Sequence, residues 1–74
     1  MEKIYIQLLD EGTDTYRPVS AIKIKDDIYE LLGEDIYNPE DEHWEFLPGD
    51  RVKVKIKKFS DGGYGLLAVS KEEM

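Results

Sequence analysis

A chain of 74 residues carrying a net charge of −7 and no cysteine is one domain with a small core. Disulfide stapling, thiolate zinc clusters and thiol catalysis are excluded. Five Tyr, two Phe and one Trp must therefore supply much of the packing, alone or with help from self-association. No run approaches the roughly 18–20 apolar residues of a membrane span. The opening MEKIYIQLL enters a strand pattern directly, so a signal peptide is not expected and a cytoplasmic location is.

Residues 2–9 alternate Ile4, Ile6 and Leu8 with Lys3, Tyr5 and Gln7, the pattern of a strand with one buried face. Asp10 to Asp14 read as a loop in which Gly12 is free to take a positive φ. A second strand is expected from Thr15 to Ile24. Pro18 cannot donate to a ladder and points to an edge or a bulge. Val19 and Ala21 lie on one face of it, Ile22 and Ile24 on the other, so a bulge near Ser20–Ile22 is expected. Lys25-Asp26-Asp27 forms the hairpin tip. Ile28–Leu32 reads as a third strand, although Asp27 with Glu30 and Gly33 also fit the two caps of a short helix.

An acidic connection follows, broken by Asn38-Pro39. Trp44 and Phe46 then share one face of a short strand, and Leu47-Pro48-Gly49-Asp50 predicts a type II turn with Gly49 at positive φ. The chain returns through Arg51–Phe59, where Val52, Val54 and Ile56 alternate with Arg51, Lys53, Lys55 and Lys57. This run is expected to pair with the Trp44–Phe46 strand as a central hairpin, its three aliphatics facing the core. Ser60-Asp61-Gly62-Gly63 is a further turn. Tyr64–Ser70, with Leu66, Ala68 and Val69, completes the chain before Lys71–Met74 fray.

Five to six short antiparallel strands at this spacing predict an all-β domain over residues 1–74. A small SH3-like barrel is the economical closure, and an OB-fold is the alternative. The stretches LLDEGTDTYRPV (8–19), IYELLG (28–33) and WEFLPGDRV (44–52) resemble a pattern found in small, mostly uncharacterised bacterial proteins of about this length. That resemblance implies the same SH3-like fold. It carries no activity, cofactor or catalytic set.

Charge is unevenly distributed. Glu34, Asp35, Glu40, Asp41, Glu42 and Glu45 place six acids and no Lys or Arg in residues 34–45, while Arg51–Lys58 holds five bases and no acid. The acidic segment lacks the spacing of a calcium-binding loop, and no cofactor is expected. Its carboxylates, with Tyr37 beside them, fit a surface for a basic protein partner, and Tyr37, Glu40, Asp41 and Glu42 are the residues expected to carry it. Trp44 is expected in the core. The alternative is nucleic-acid binding through Arg51, Lys53, Lys55 and Lys57, aided by Lys58, with Tyr5, Tyr16 or Tyr64 stacking on bases. The overall negative charge opposes it.

His43 has no paired nucleophile, and Ser20, Ser60 and Ser70 lie in no nucleophile motif. Gly62-Gly63 with Gly65 is explained by a hairpin without phosphate. Asp10, Glu11 and Asp14 make a weak metal candidate. Arg17 is expected to pair with a carboxylate on the exterior, the alternatives being stacking on Tyr16 or an open edge beside Pro18. The expectation is a non-enzymatic adaptor or accessory domain with a protein partner, monomeric or weakly self-associating.

Overall fold

The computed structural model describes residues 2–9 and 15–72. Among them are six strands and no helix: β1 (Glu2–Leu9), β2 (Tyr16–Lys25), β3 (Ile28–Leu31), β4 (His43–Trp44), β5 (Arg51–Lys58) and β6 (Tyr64–Lys71). The loop expected at 10–14, including Gly12 and the metal candidate Asp10, Glu11 and Asp14, lies outside the described residues.

Pairing runs β2-β3-β5-β6-β1-β4, with a further antiparallel ladder between β1 and β2. The five longer and middle strands therefore pair in a circuit that returns to its start. Antiparallel neighbours alternate in direction, so in a circuit of five the first and last must run the same way. The β1–β6 contact is accordingly parallel, through Tyr5 and Leu67.

Inside this circuit lies one core. Ile4, Ile6 and Leu8 from β1, Val19 and Ala21 from β2, and Tyr29 and Leu31 from β3 pack with Trp44, Phe46, Val52, Val54 and Ala68. The alternation read in β1 and the first half of β5 places these side chains as expected. Residues 28–31 are strand, and β3 is too short and too well paired on both sides for the alternative helix.

The second half of β2 departs from expectation. Its register with β1 is regular through Ala21, and the irregularity lies between Lys23 and Lys25 against β3. No bulge at Ser20–Ile22 turns the strand over, so Ile22 and Ile24 stay partly exposed on the outer face. Pro18 sits opposite Tyr5, in the stretch of β2 that precedes the β3 ladder, which is the half-edge position its missing N–H allows.

The expected central hairpin is not formed. β4 covers only His43–Trp44 and pairs with Leu8 and Leu9 of β1, while β5 pairs with β3 and β6. The turn between them nevertheless has the expected form. Gly49 has φ 92°, and the Asp50 N–H donates to the Leu47 carbonyl at 3.0 Å. What the sequence pattern missed is its docking: the Gly49 N–H donates to the Leu31 carbonyl, and the Leu31 N–H to the Asp50 carbonyl. The turn thus prolongs the β3–β5 ladder.

Ile56 was expected in the core and is 75% exposed. It keeps the parity of Val52 and Val54, but β3 pairs only as far as Lys53, so β3 does not extend over the far half of β5. Along the β5–β6 ladder, the step from Lys53 to Val54 spans Ser70 to Ala68, leaving Val69 as the extra residue of a bulge. The C-terminal stretch is tied further than expected, for Lys71 ends β6 and the Glu72 N–H donates to the Arg51 carbonyl at 2.8 Å.

Trp44 is 3% exposed, and its loss leaves a cavity the small core cannot close. Trp44→Ala is expected to cost about 3–5 kcal/mol, a large part of the stability of so small a domain. Urea denaturation checks this, and the native indole emission should be blue-shifted.

Candidate functional site

Two surfaces follow from the charge pattern, and the structure treats their residues unequally. The acidic connection leaves β3 at Gly33, whose φ of 107° is open to glycine and strained for other residues. A Cβ there would also lie 3.1 Å from Val19 and 3.3 Å from the Trp44 ring. Gly33 accepts from the N–H groups of Ile36 and Tyr37, and Asn38 from those of Asp41 and Glu42. The Asn38 side chain adds bonds with the Glu40 N–H (3.0 Å) and the Asp41 carboxylate (3.2 Å). Two successive turns thereby wrap the segment over Trp44.

Tyr37 packs against the Trp44 ring, centroids 4.8 Å apart and tilted by 56°. It is half-buried against the core, so the anchor expected for a partner is spent within the domain. Glu42 is committed too. Its Oε1 accepts from the Trp44 indole N–H at 3.1 Å and lies 3.1 Å from Arg17 Nε. The Arg17 contact is ionic rather than an aligned hydrogen bond, since that N–H is buried without an acceptor in line. Arg17 thus takes the carboxylate pairing expected of it, with Glu42 as the partner. Glu40 and Asp41 remain exposed, as do Glu34, Asp35 and Glu45, with Ile36 partly exposed among them. Beside them an open groove of about 350 Å³ is lined by Glu30, Leu31, Leu32, Gly33, Glu34, Asp35 and Gly49.

The basic strand is divided. Arg51 Nε stands 3.5 Å from Glu30 of β3, and Lys53 Nζ 3.8 Å from Asp27. The first is a cross-strand pair in the β3–β5 register, and the second reaches from β5 to the turn just before β3. Beyond it Lys55, Lys57 and Lys58 meet no carboxylate among the described residues. The Lys57 ammonium sits 5.6 Å from the centroid of the Tyr16 ring.

Tyr16 belongs to an aromatic cluster that the sequence reading did not assemble. The Phe59 ring lies 4.7 Å from that of Tyr5 and 5.5 Å from that of Tyr16. Gly65 makes room for it, since a Cβ there would fall 2.7 Å from both Phe59 and Tyr5. The third glycine of the G-G-x-G run therefore answers to ring packing rather than to the turn. The signal for it is the position of Gly65 just inside a strand, past the turn that the hairpin reading assigned to it. Tyr16, Lys57, Lys58, Phe59 and Ser60 line a second open groove of about 410 Å³. Tyr64, the other expected stacking ring, is 70% exposed and stands opposite Lys58 in the ladder.

Among the described residues no three His, Asp or Glu side chains converge to hold a metal ion, and no helix is long and apolar enough to cross a membrane. No protein-family model matches the chain, and no curated protein or solved structure matches it either.

Two substitutions separate structural from surface roles here. Glu42→Ala removes the acceptor of a partly buried indole N–H and the counter-charge of Arg17, and should cost about 1–3 kcal/mol. Glu40→Ala should stay within about 0.5 kcal/mol of wild type, and urea titration of both variants distinguishes the roles. Gly65→Ala forces a methyl group into two rings and should cost about 1–3 kcal/mol, read as a lowered melting temperature.

Proposed function

We propose that the chain is a small SH3-like barrel that works by binding rather than catalysis, as an accessory or adaptor domain for a basic protein partner. The closed circuit of strand pairings supports the barrel reading. The binding reading rests on one observation: the acidic connection is fastened to the core by Tyr37, Trp44, Glu42 and Arg17 while its other carboxylates stay exposed. A surface held in place before binding loses less entropy when a partner arrives.

The binding residues therefore shift from those expected. Glu40 and Asp41 stay in the set, Glu34 and Asp35 join it because they line the adjacent groove, and Tyr37 and Glu42 become the support beneath. A cluster of one sign speeds encounter with a basic partner and sets orientation more than it adds affinity.

The test is a tagged pull-down from lysate of the source organism, treated with nuclease and read by mass spectrometry. It compares wild type with a variant carrying Glu34→Gln, Asp35→Asn, Glu40→Gln and Asp41→Asn. A basic partner captured by wild type and lost by the variant, with an unchanged melting temperature, is the expected result. Equal capture by both rules out this surface, and capture abolished by nuclease alone rules out a protein partner.

A further inference from the structure

We propose that the uncovered edge of β5, Lys55–Lys58, accepts an extended acidic segment of a partner protein as an added strand. This surface is separate from the acidic connection, and the inference stands whether or not that connection binds a partner.

β3 meets β5 only from Arg51 to Lys53, and the last contact on that side is the Val54 N–H donating to the Asp27 carbonyl at 2.9 Å. Among the described residues, β5 from Lys55 onward has a ladder partner only in β6. The phase of that ladder is set by the Phe59 N–H, which donates to the Gly63 carbonyl at 2.7 Å. Alternation along an antiparallel pair then directs the backbone groups of Lys57 and Lys55 toward β6, and those of Ile56 and Lys58 toward the open side. The Val54–Asp27 bond, on that same open side, agrees with this phase. Ile56 and Lys58 thus present N–H and C=O groups to solvent at the spacing an incoming strand requires.

The side chains decide what can come. A second copy pairing edge to edge, antiparallel about Ile56, would set Lys55 against Lys57 of the other chain, the like-charge arrangement that blocks self-association. A DNA backbone offers acceptors to the lysines but no donors for the edge carbonyls of Ile56 and Lys58, and an RNA backbone offers only its 2′-hydroxyls, not the alternating donors and acceptors of a strand. A peptide backbone offers donors and acceptors in alternation, and acidic side chains at every second position on it would meet Lys55 and Lys57, which share one face of β5. Ile56, 75% exposed, gives an apolar side chain of the added strand something to cover. The groove lined by Tyr16, Lys57, Lys58, Phe59 and Ser60 lies where such a strand would run off the end of β5.

The probe is the peptide acetyl-Glu-Val-Glu-Val-Glu-Val-amide, titrated up to about 1 mM against the isotope-labelled chain and followed by amide NMR. Shifts centred on Ile56 and Lys58, with slowed hydrogen exchange at those two amides, are expected. Lys55→Glu with Lys57→Glu should weaken binding about tenfold or more. Ile56→Pro, which removes an edge donor without touching the β6 ladder, should also weaken it while leaving the circular dichroism spectrum unchanged. Should the proline variant fail to fold, the charge-reversed variant decides alone. No binding by the peptide, equal binding by the charge-reversed variant, or shifts centred on residues 34–45 would each overturn the proposal. So would shifts at β5 produced by oligothymidylate and not by the peptide, or by raising the concentration of the chain by itself.

Discussion

Everything in this domain has to accommodate the indole of Trp44. It is the largest side chain in the core, and β4, the two-residue strand that carries it, is registered against Leu8 and Leu9 of β1, with the Glu45 N–H donating to the Gln7 carbonyl just beyond it. Burying it requires a lid, and residues 33–42 are that lid. Gly33 turns the chain at a φ other residues adopt only with strain, close enough to the ring that a methyl group would press on it. Tyr37 closes over the ring. Glu42 accepts the indole N–H, which would otherwise be a costly unpaired donor at the edge of the core. Arg17 of β2 stands against Glu42, so the lid is also tied to β2, the strand that pairs with both β1 and β3. A segment that composition describes as a charged loop is thus a structural part of the core.

The circuit itself has a weak seam. Four of its junctions are antiparallel ladders of three or more registered pairs, whereas β1 and β6 meet through one registered parallel pair, Tyr5 and Leu67. Parallel pairing is also slightly less stable per residue. Side chains make up the difference on the outer surface, where Tyr5, Phe59 and Tyr16 pack together over the space left by Gly65. An aromatic cluster on the exterior of a small acidic domain suggests a ligand site at first sight. Its placement beside the seam gives Tyr5 and Phe59 a packing role that leaves only the far rim, Tyr16 with Lys57 and Lys58, facing open space.

How much of this could be read from the residues depended on whether local pattern or distant pairing decided the outcome. The period-2 runs of β1 and β5 located strands and most inward faces, because alternation is a property of the strand itself. The Pro48-Gly49 turn was legible for the same reason, as its backbone angles are set by the residues in it. Partner choice was not. Trp44–Phe46 looked like half of a hairpin because it adjoins a turn, yet β3 takes the place beside β5 and Trp44 goes to β1, an outcome fixed by where the indole finds cover. Ile56 continues the core parity without a core opposite it, since parity says which face a residue is on and not whether anything packs there. In the candidate site, the acidic and basic segments were plain in the sequence. Which of their members were already engaged was not, because Glu42 with Arg17 and Lys53 with Asp27 lie 25 and 26 positions apart.

One feature of the topology accounts for both the division of the basic strand and its open edge. The β2–β3 hairpin turns at Asp26-Asp27, and antiparallel registration sets Ile28 opposite Lys53. At that point β3 has given β5 its last registered pair, and Asp27 contributes the final contacts, its carbonyl to the Val54 N–H and its carboxylate to Lys53. The same tip that stops the ladder therefore stops the supply of counter-charges. Arg51 is paired with Glu30 of β3 and Lys53 with Asp27 of the tip, while Lys55, Lys57 and Lys58 lie beyond them, meeting no carboxylate among the described residues, together with the exposed side chain of Ile56. A longer β2–β3 hairpin would have closed the edge. One geometric fact thus removes both partners at once, so that three lysines without a carboxylate among the described residues adjoin the stretch of strand that β3 leaves uncovered.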